Sequence, residues 1–130
     1  MEHQLFKITQ NAILRNSSGN VLILHHTTGK WLLPGGKIGK GETWFEGLRR
    51  ELYEEISISD FQITKILDVD SWIEADQGHC VITYLIESPK EFTIKLSDEH
   101  KEYVWVQPKD LENYDFWNPK IKERICKAFQ

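Results

Sequence analysis

An α+β fold is what this sequence predicts, and three observations predict it. Most apolar residues fall in short β-rich runs that are close neighbours along the chain. Only two or three stretches keep a helical period. Strands and helices do not alternate as a doubly wound parallel sheet requires. At 130 residues, 40% of them hydrophobic, with five Trp, four Tyr and six Phe, the chain has apolar mass for one core, and residues 1–130 are read as a single domain. No internal repeat or Pro/Gly/Ser-rich linker divides it.

Taken in order, Leu5–Ile8 and Ala12–Leu14 read as strand, and Asn16–Asn20 as a turn cluster. Val21–Leu24 is a short apolar run suited to a buried strand, and Thr27–Lys30 is a hairpin turn leading into Trp31–Leu33. The first long helix runs from about Thr43 to Ile56. Thr43-Trp44-Phe45-Glu46 has the form of a capping box, in which the threonine hydroxyl accepts an amide and the glutamate reaches back. Phe45, Leu48, Leu52 and Ile56 fall on one stripe, which marks the core face. Two longer strands lie between Phe61 and Ser88, broken at Ala75–Gly78. Phe92–Leu96 alternates with period two and reads as a strand, and Tyr103–Val106 as another. A short helix follows Pro108, and the last spans about Pro119–Phe129, with Ile121, Ile125 and Phe129 as its buried stripe.

A net charge of −4 and a pI near 5.7 argue against a protein held to polymeric nucleic acid by phosphate contacts. Cys80 and Cys126 have no CxxC spacing, which speaks against a disulfide framework or a thiolate zinc site. No apolar run is long enough for a membrane span, and Met1-Glu2-His3-Gln4 is not a signal-peptide start, so a cytoplasmic protein without a membrane partner is expected. A homodimer stays open.

The chemistry concentrates around the first long helix. Glu51, Glu54 and Glu55 fall within an arc of about 100° opposite the apolar stripe. Like charges at these spacings repel, and a solvated acidic face is the ordinary outcome. Here Pro34-Gly35-Gly36-Lys37-Ile38-Gly39-Lys40-Gly41 stands immediately upstream, a glycine-rich loop able to admit close approach of another group. Such a loop feeding three carboxylates suits a hard cation, which takes oxygen ligands, backbone carbonyls included.

Gly36-x5-Glu42-x7-Arg50-Glu51-Leu52-x-Glu54-Glu55-x-Ser57-Ile58 resembles the Nudix box, the signature of the Nudix (MutT-type) hydrolases. The flanking Trp31–Gly35 and Glu99–Trp105, and the order of elements, agree more weakly. The resemblance implies an α/β/α sandwich with a mixed β-sheet, and a Mg²⁺-dependent hydrolase, with Mn²⁺ able to substitute, acting on a nucleoside diphosphate linked to another group. It implies Glu54, Glu55 and the Gly35 carbonyl as metal ligands. Glu51 would be general base or a further ligand, and Arg50 would orient it. Glu99, with Glu102 second, would be the acidic residue outside the box. Phosphoryl transfer needs positive charge across the phosphates and an aimed water, which such residues supply. Arg50 is alternatively a plain ion-pair partner of Glu46 or Glu54, and Glu42 is expected to brace the loop. One position departs from the family pattern: Ser57 stands where a glycine usually closes the helix, and a left-handed serine costs about 1 kcal/mol.

His25, His26, His79 and His100 show no metal-ligand spacing, so a histidine zinc site is not expected. Trp31, Trp72 and Trp105 are read as core or sheet-face residues. Asn118 before Pro119 has the form of a helix cap. The resemblance also offers it as a substrate contact, since MutT-type enzymes read a purine near this point. Substrate is reached by elimination. The proline of ADP-ribose hydrolases and the tyrosine of diadenosine-polyphosphate hydrolases are missing after the box, and GDP-mannose hydrolases lack part of the box kept here. A nucleoside triphosphate hydrolysed to the monophosphate and pyrophosphate remains, in a nucleotide-sanitising role. A nucleotide sugar or dinucleoside polyphosphate is the alternative, and a non-catalytic binding module the remote one.

Overall fold

The computed structural model describes residues 1–88 and 90–130. Among the described residues, seven strands make one mixed sheet: β1 (Phe6–Arg15), β2 (Val21–His26), β3 (Trp31–Leu32), β4 (Gly35–Lys37), β5 (Ile63–Glu74), β6 (Gln77–Glu87) and β7 (His100–Val106). The helices are α1 (Trp44–Ile56), a 3₁₀ turn over Pro108–Asn113, and α2 (Lys120–Lys127). The strand order is β3-β2-β1-β6-β5, with β4 paired to β1 and β7 to β2. The β1–β6 pair is parallel and the others antiparallel. None of the described helices is long and apolar enough to cross a membrane.

Strand alternation builds the three layers. Ala12 and Leu14, Leu22 and Leu24, and Tyr84 and Ile86 point to one face, where they meet Leu48, Leu52 and Ile56 of α1. Their neighbours Ile13, Val21, Ile23 and Leu85 point to the other, against Leu111, Phe116, Ile121 and Ile125. The sheet therefore lies between α1 and α2, the expected α/β/α sandwich.

Several elements differ from the sequence reading. Leu5–Ile8 and Ala12–Leu14 are one strand, because the polar Thr9-Gln10-Asn11 continues the ladder by pairing with both β4 and β6. Part of the glycine-rich segment is β4 rather than loop. Phe92–Leu96 is not a strand. Phe92, Ile94 and Leu96 do turn inward, but the backbone docks on the end of α1, where Lys95 N–H donates to Ile56 O and Ser97 N–H to Glu55 O. Phe45 and Phe129, both assigned to buried stripes, are 38% and 36% exposed. Phe45 lies in the first turn of α1, against Trp44 and Phe61, and Phe129 lies two residues past the end of α2. The β5–β6 turn is shorter than the predicted break: Ala75 and Asp76 alone form it, with φ of 49° and 63°.

Candidate active site

The capping box forms as expected, with Glu46 N–H donating to Thr43 Oγ1 and Thr43 N–H to Glu46 Oε1. It fixes where α1 starts, and so the direction in which its polar face points. That face is set against β4, and β4 against β1. Gly35, at φ 142°, crosses so near to β1 that a Cβ on it would stand 2.0 Å from the Gln10 carbonyl oxygen. A Cβ on Gly36 would lie 2.4 Å from the carboxyl carbon of Glu51. These glycines serve close approach, as the sequence reading expects, although they do so within a strand.

Arg50 organises the outer part of the polar face. Its Nε and Nη2 donate to Glu42 at 2.6 and 2.9 Å, and its Nη1 to Glu51 at 2.9 Å and Glu54 at 3.3 Å. Glu42 in turn accepts the Gly39 N–H at 2.7 Å, bracing the loop. The Arg50 hydrogen bonds hold the Glu42 carboxyl below its usual range, while the two carboxylates raise Arg50. Burial raises Glu51 above an ordinary glutamate, with Arg50 opposing. Glu54 is the most exposed of the three, its side chain 57% accessible.

Glu55 sits deeper. Its Oε2 accepts the Gly35 N–H at 2.9 Å. Burial pushes its carboxyl up to about 8, and the charges of Glu51, Glu99 and Glu54 add to that. It lines a cleft of about 380 Å³, together with Glu99 and His100. One ligand atom from each of these three lies within 4.8 Å of the others. Glu51 and Glu54 are not among the residues lining this cleft, and Glu102 is turned away, 3.4 Å from His25. The carboxylates fit a divalent cation by donor chemistry: hard oxygens around a buried group that lacks only a positive charge to be stably ionised.

The far wall of the cleft comes largely from the C-terminal segment, through Trp117, Asn118, Ile121 and Arg124. Two hydrogen bonds hold that segment to β3: Trp31 N–H to Asp115 O at 2.9 Å and Trp117 N–H to Trp31 O at 2.8 Å. Lys120 pairs with Asp70 of β5 at 2.8 Å, and Lys127 with Asp68. The Oδ1 of Asn118 accepts the Lys120 N–H at 3.0 Å, so it does act as a cap, one residue ahead of Pro119 at the helix boundary. Trp72, read as a sheet-face residue, is a cleft residue as well, stacked on His79 with Lys120 5.2 Å over its ring. Thr9 and Asn11 of β1, His26, His100 and Arg124 also line the cleft and were not foreseen. Only Thr9 and Asn11 left a trace in the sequence, as polar positions interrupting an otherwise apolar strand. His100 reaches Glu55 through the fold alone.

A family model of the NUDIX domain matches residues 5–125. The chain belongs to the Nudix family. Among curated relatives, the nucleoside triphosphatase NudI of Escherichia coli O139:H28 is 30% identical, over 67% of this chain and 68% of that protein. Among solved structures, the MutT protein of Methanosarcina mazei Go1 has a TM-score of 0.78 at 25% identity, covering 99% of this chain and 96% of that one. The Caenorhabditis elegans Ap4A hydrolase has a TM-score of 0.76 at 18% identity, covering 93% of each, which shows a shared fold. As a Nudix hydrolase, the chain acts on phosphoanhydride bonds of nucleoside diphosphate-linked substrates, and Nudix hydrolases generally use divalent metal.

Proposed function

We propose that this Nudix hydrolase converts a nucleoside triphosphate to the monophosphate and pyrophosphate with Mg²⁺, and that residues 1–130 act as a single domain. The observation that carries the proposal is one cleft holding the Glu55 and Glu99 carboxylates together with Trp72, Trp117 and Asn118. Its volume of about 380 Å³ is near the lower end of small-molecule clefts, about 300–1,000 Å³, which favours one nucleoside with its phosphates over two nucleosides. The likeness to a nucleoside triphosphatase supports the same choice.

Glu55 and Glu99 would hold the ion, with Glu54 and the Gly35 carbonyl as further oxygen ligands, and Glu51 would be left for the water. When bound, Mg²⁺ neutralises phosphate charge and polarises the phosphorus under attack. Glu51 accepts the proton of the attacking water, and its burial keeps it more basic than an exposed glutamate. Arg50 holds Glu51 in place and is itself fixed by Glu42. The water oxygen bonds to phosphorus, the bridging oxygen leaves, and pyrophosphate departs. Asn118 and the two tryptophans contact the base.

The test is a product assay on common and oxidised nucleoside triphosphates, nucleotide sugars and dinucleoside polyphosphates. Triphosphates should give the highest kcat/KM, with monophosphate and pyrophosphate as products. A higher kcat/KM on a nucleotide sugar or dinucleoside polyphosphate overturns the substrate choice. Full turnover after exhaustive chelation overturns the metal.

A further inference from the structure

His100 is 93% removed from solvent by its 7% exposure, and among the described residues neither ring nitrogen has a hydrogen-bond partner. Buried polar groups are rarely left so, and an orphaned pair on one ring calls for an occupant. The ring lines the cleft beside Glu55 and Glu99. Its backbone is anchored at the start of β7, opposite His26 of β2. His26 is not equivalent: its Nδ1 is engaged by Thr28, through Oγ1 at 2.9 Å and N–H at 3.1 Å.

We propose that Glu55, Glu99 and His100 form a mixed oxygen–nitrogen site for a first-row transition-metal ion, Mn²⁺ or Co²⁺ in preference to Mg²⁺, with His100 as the nitrogen ligand. The inference rests on the reading that Glu55 and Glu99 face a divalent ion, and adds which ion this chain favours. Two donors on one such ion, each about 2.1 Å from it, stand no more than about 4.2 Å apart. The observed 4.8 Å envelope closes to that by a small movement, and Glu99 is exposed and free to swing. Oxygen donors alone suit Mg²⁺, whereas imidazole favours transition ions, more so from Mn²⁺ to Co²⁺.

The experiment is pulsed electron paramagnetic resonance of Mn²⁺ bound to the full chain, beside calorimetric titrations with Co²⁺ and Mg²⁺. The unaltered chain should show nitrogen hyperfine coupling on Mn²⁺ and bind Co²⁺ more tightly than Mg²⁺. His100→Asn should lose the coupling and weaken Co²⁺ at least about tenfold, leaving Mg²⁺ within a factor of about two. His26→Asn should keep the coupling. Bound Mn²⁺ without nitrogen coupling in the unaltered chain overturns the inference, whatever the variants do. Mg²⁺-dependent turnover, measured separately, then still supports the proposed hydrolase. Failure to bind either transition ion overturns the inference too, and loss of Mg²⁺ turnover as well would take the hydrolase reading with it.

Discussion

A methyl group on Gly36 would collide with the carboxylate of Glu51, with all three carboxyl atoms within 2.6 Å. The backbone there is not left-handed, so alanine carries no conformational cost, and the side chain of Glu51 is what must give way. Gly36→Ala should therefore lower kcat by about 10², as expected for a displaced catalytic group, while the melting temperature changes little. Glu51→Gln should lower kcat by about 10²–10⁴ in a folded protein, the range for a lost general base. Near-normal turnover in either purified variant removes Glu51 from the reaction. Ser57 offers a test of conformation alone. It closes α1 at φ 61° and ψ 33°, with its hydroxyl bonded to Lys95 O at 3.1 Å. Both Ser57→Gly and Ser57→Ala lose that bond, but only alanine keeps the left-handed cost. The glycine variant should be the more stable by about 1 kcal/mol in denaturant titrations.

At the scale of elements, α1 depends on its cap. Thr43→Ala should cost about 1 kcal/mol by leaving an amide unpaired, with chemistry at Glu55 and Glu99 unchanged once folded, as unfolding curves and turnover would show. This helix was legible in the sequence because each of its signals is local: a cap, a stripe three and four residues apart, and a left-handed closure. The glutamates were legible for the same reason, with their spacing set inside one element. Elements whose form depends on a distant partner were not. The Phe92–Leu96 alternation correctly gives an inward face, but whether such a segment joins a sheet depends on a free strand edge, and here the end of α1 takes its backbone bonds. Likewise the glycines of β4 read as loop rather than strand, because the strand they pair with lies some 25 residues earlier in the chain. Trp72, His100 and Arg124 reach the cleft from β5, β7 and α2, and no spacing within one element could announce them.

At the scale of the whole molecule, the cleft trades stability for charge. Folded Glu55 titrates near 8, against about 4.5 in an unfolded chain. Between those values the folded state keeps a proton that the unfolded state has released, so the metal-free protein should lose stability as pH rises through that window and level off above it. Melting curves in chelator at pH 5, 6.5 and 8 should show the decline, and Glu55→Gln should flatten it. Glu54→Gln should change it little, since Glu54 is exposed and paired with Arg50. A divalent ion that binds only the folded state adds about 2.7 kcal/mol at a hundredfold excess over Kd, a rise of several degrees for a domain of this size. Mg²⁺ should give that rise in the parent and much less in Glu55→Gln. An equal rise in both, or the same rise with Na⁺ at matched ionic strength, means the ion sits elsewhere.

The parallel pairing of β1 with β6 also bears on how the chain is made. Arg15 waits for Glu87, 72 residues further on, and β1 shares only the Arg15–Val21 pair with β2. At synthesis rates of about 5–20 residues per second, that partner emerges roughly 4–14 s after β1 does. During that interval Ala12, Ile13 and Leu14, fully enclosed in the finished protein, lack their β6 partners Tyr84, Leu85 and Ile86. The polar Thr9-Gln10-Asn11 in the same strand breaks what would be a continuous sticky run in the nascent chain. Thr9 and Asn11, which later line the cleft, should thus also limit misassociation of the strand before the cleft exists.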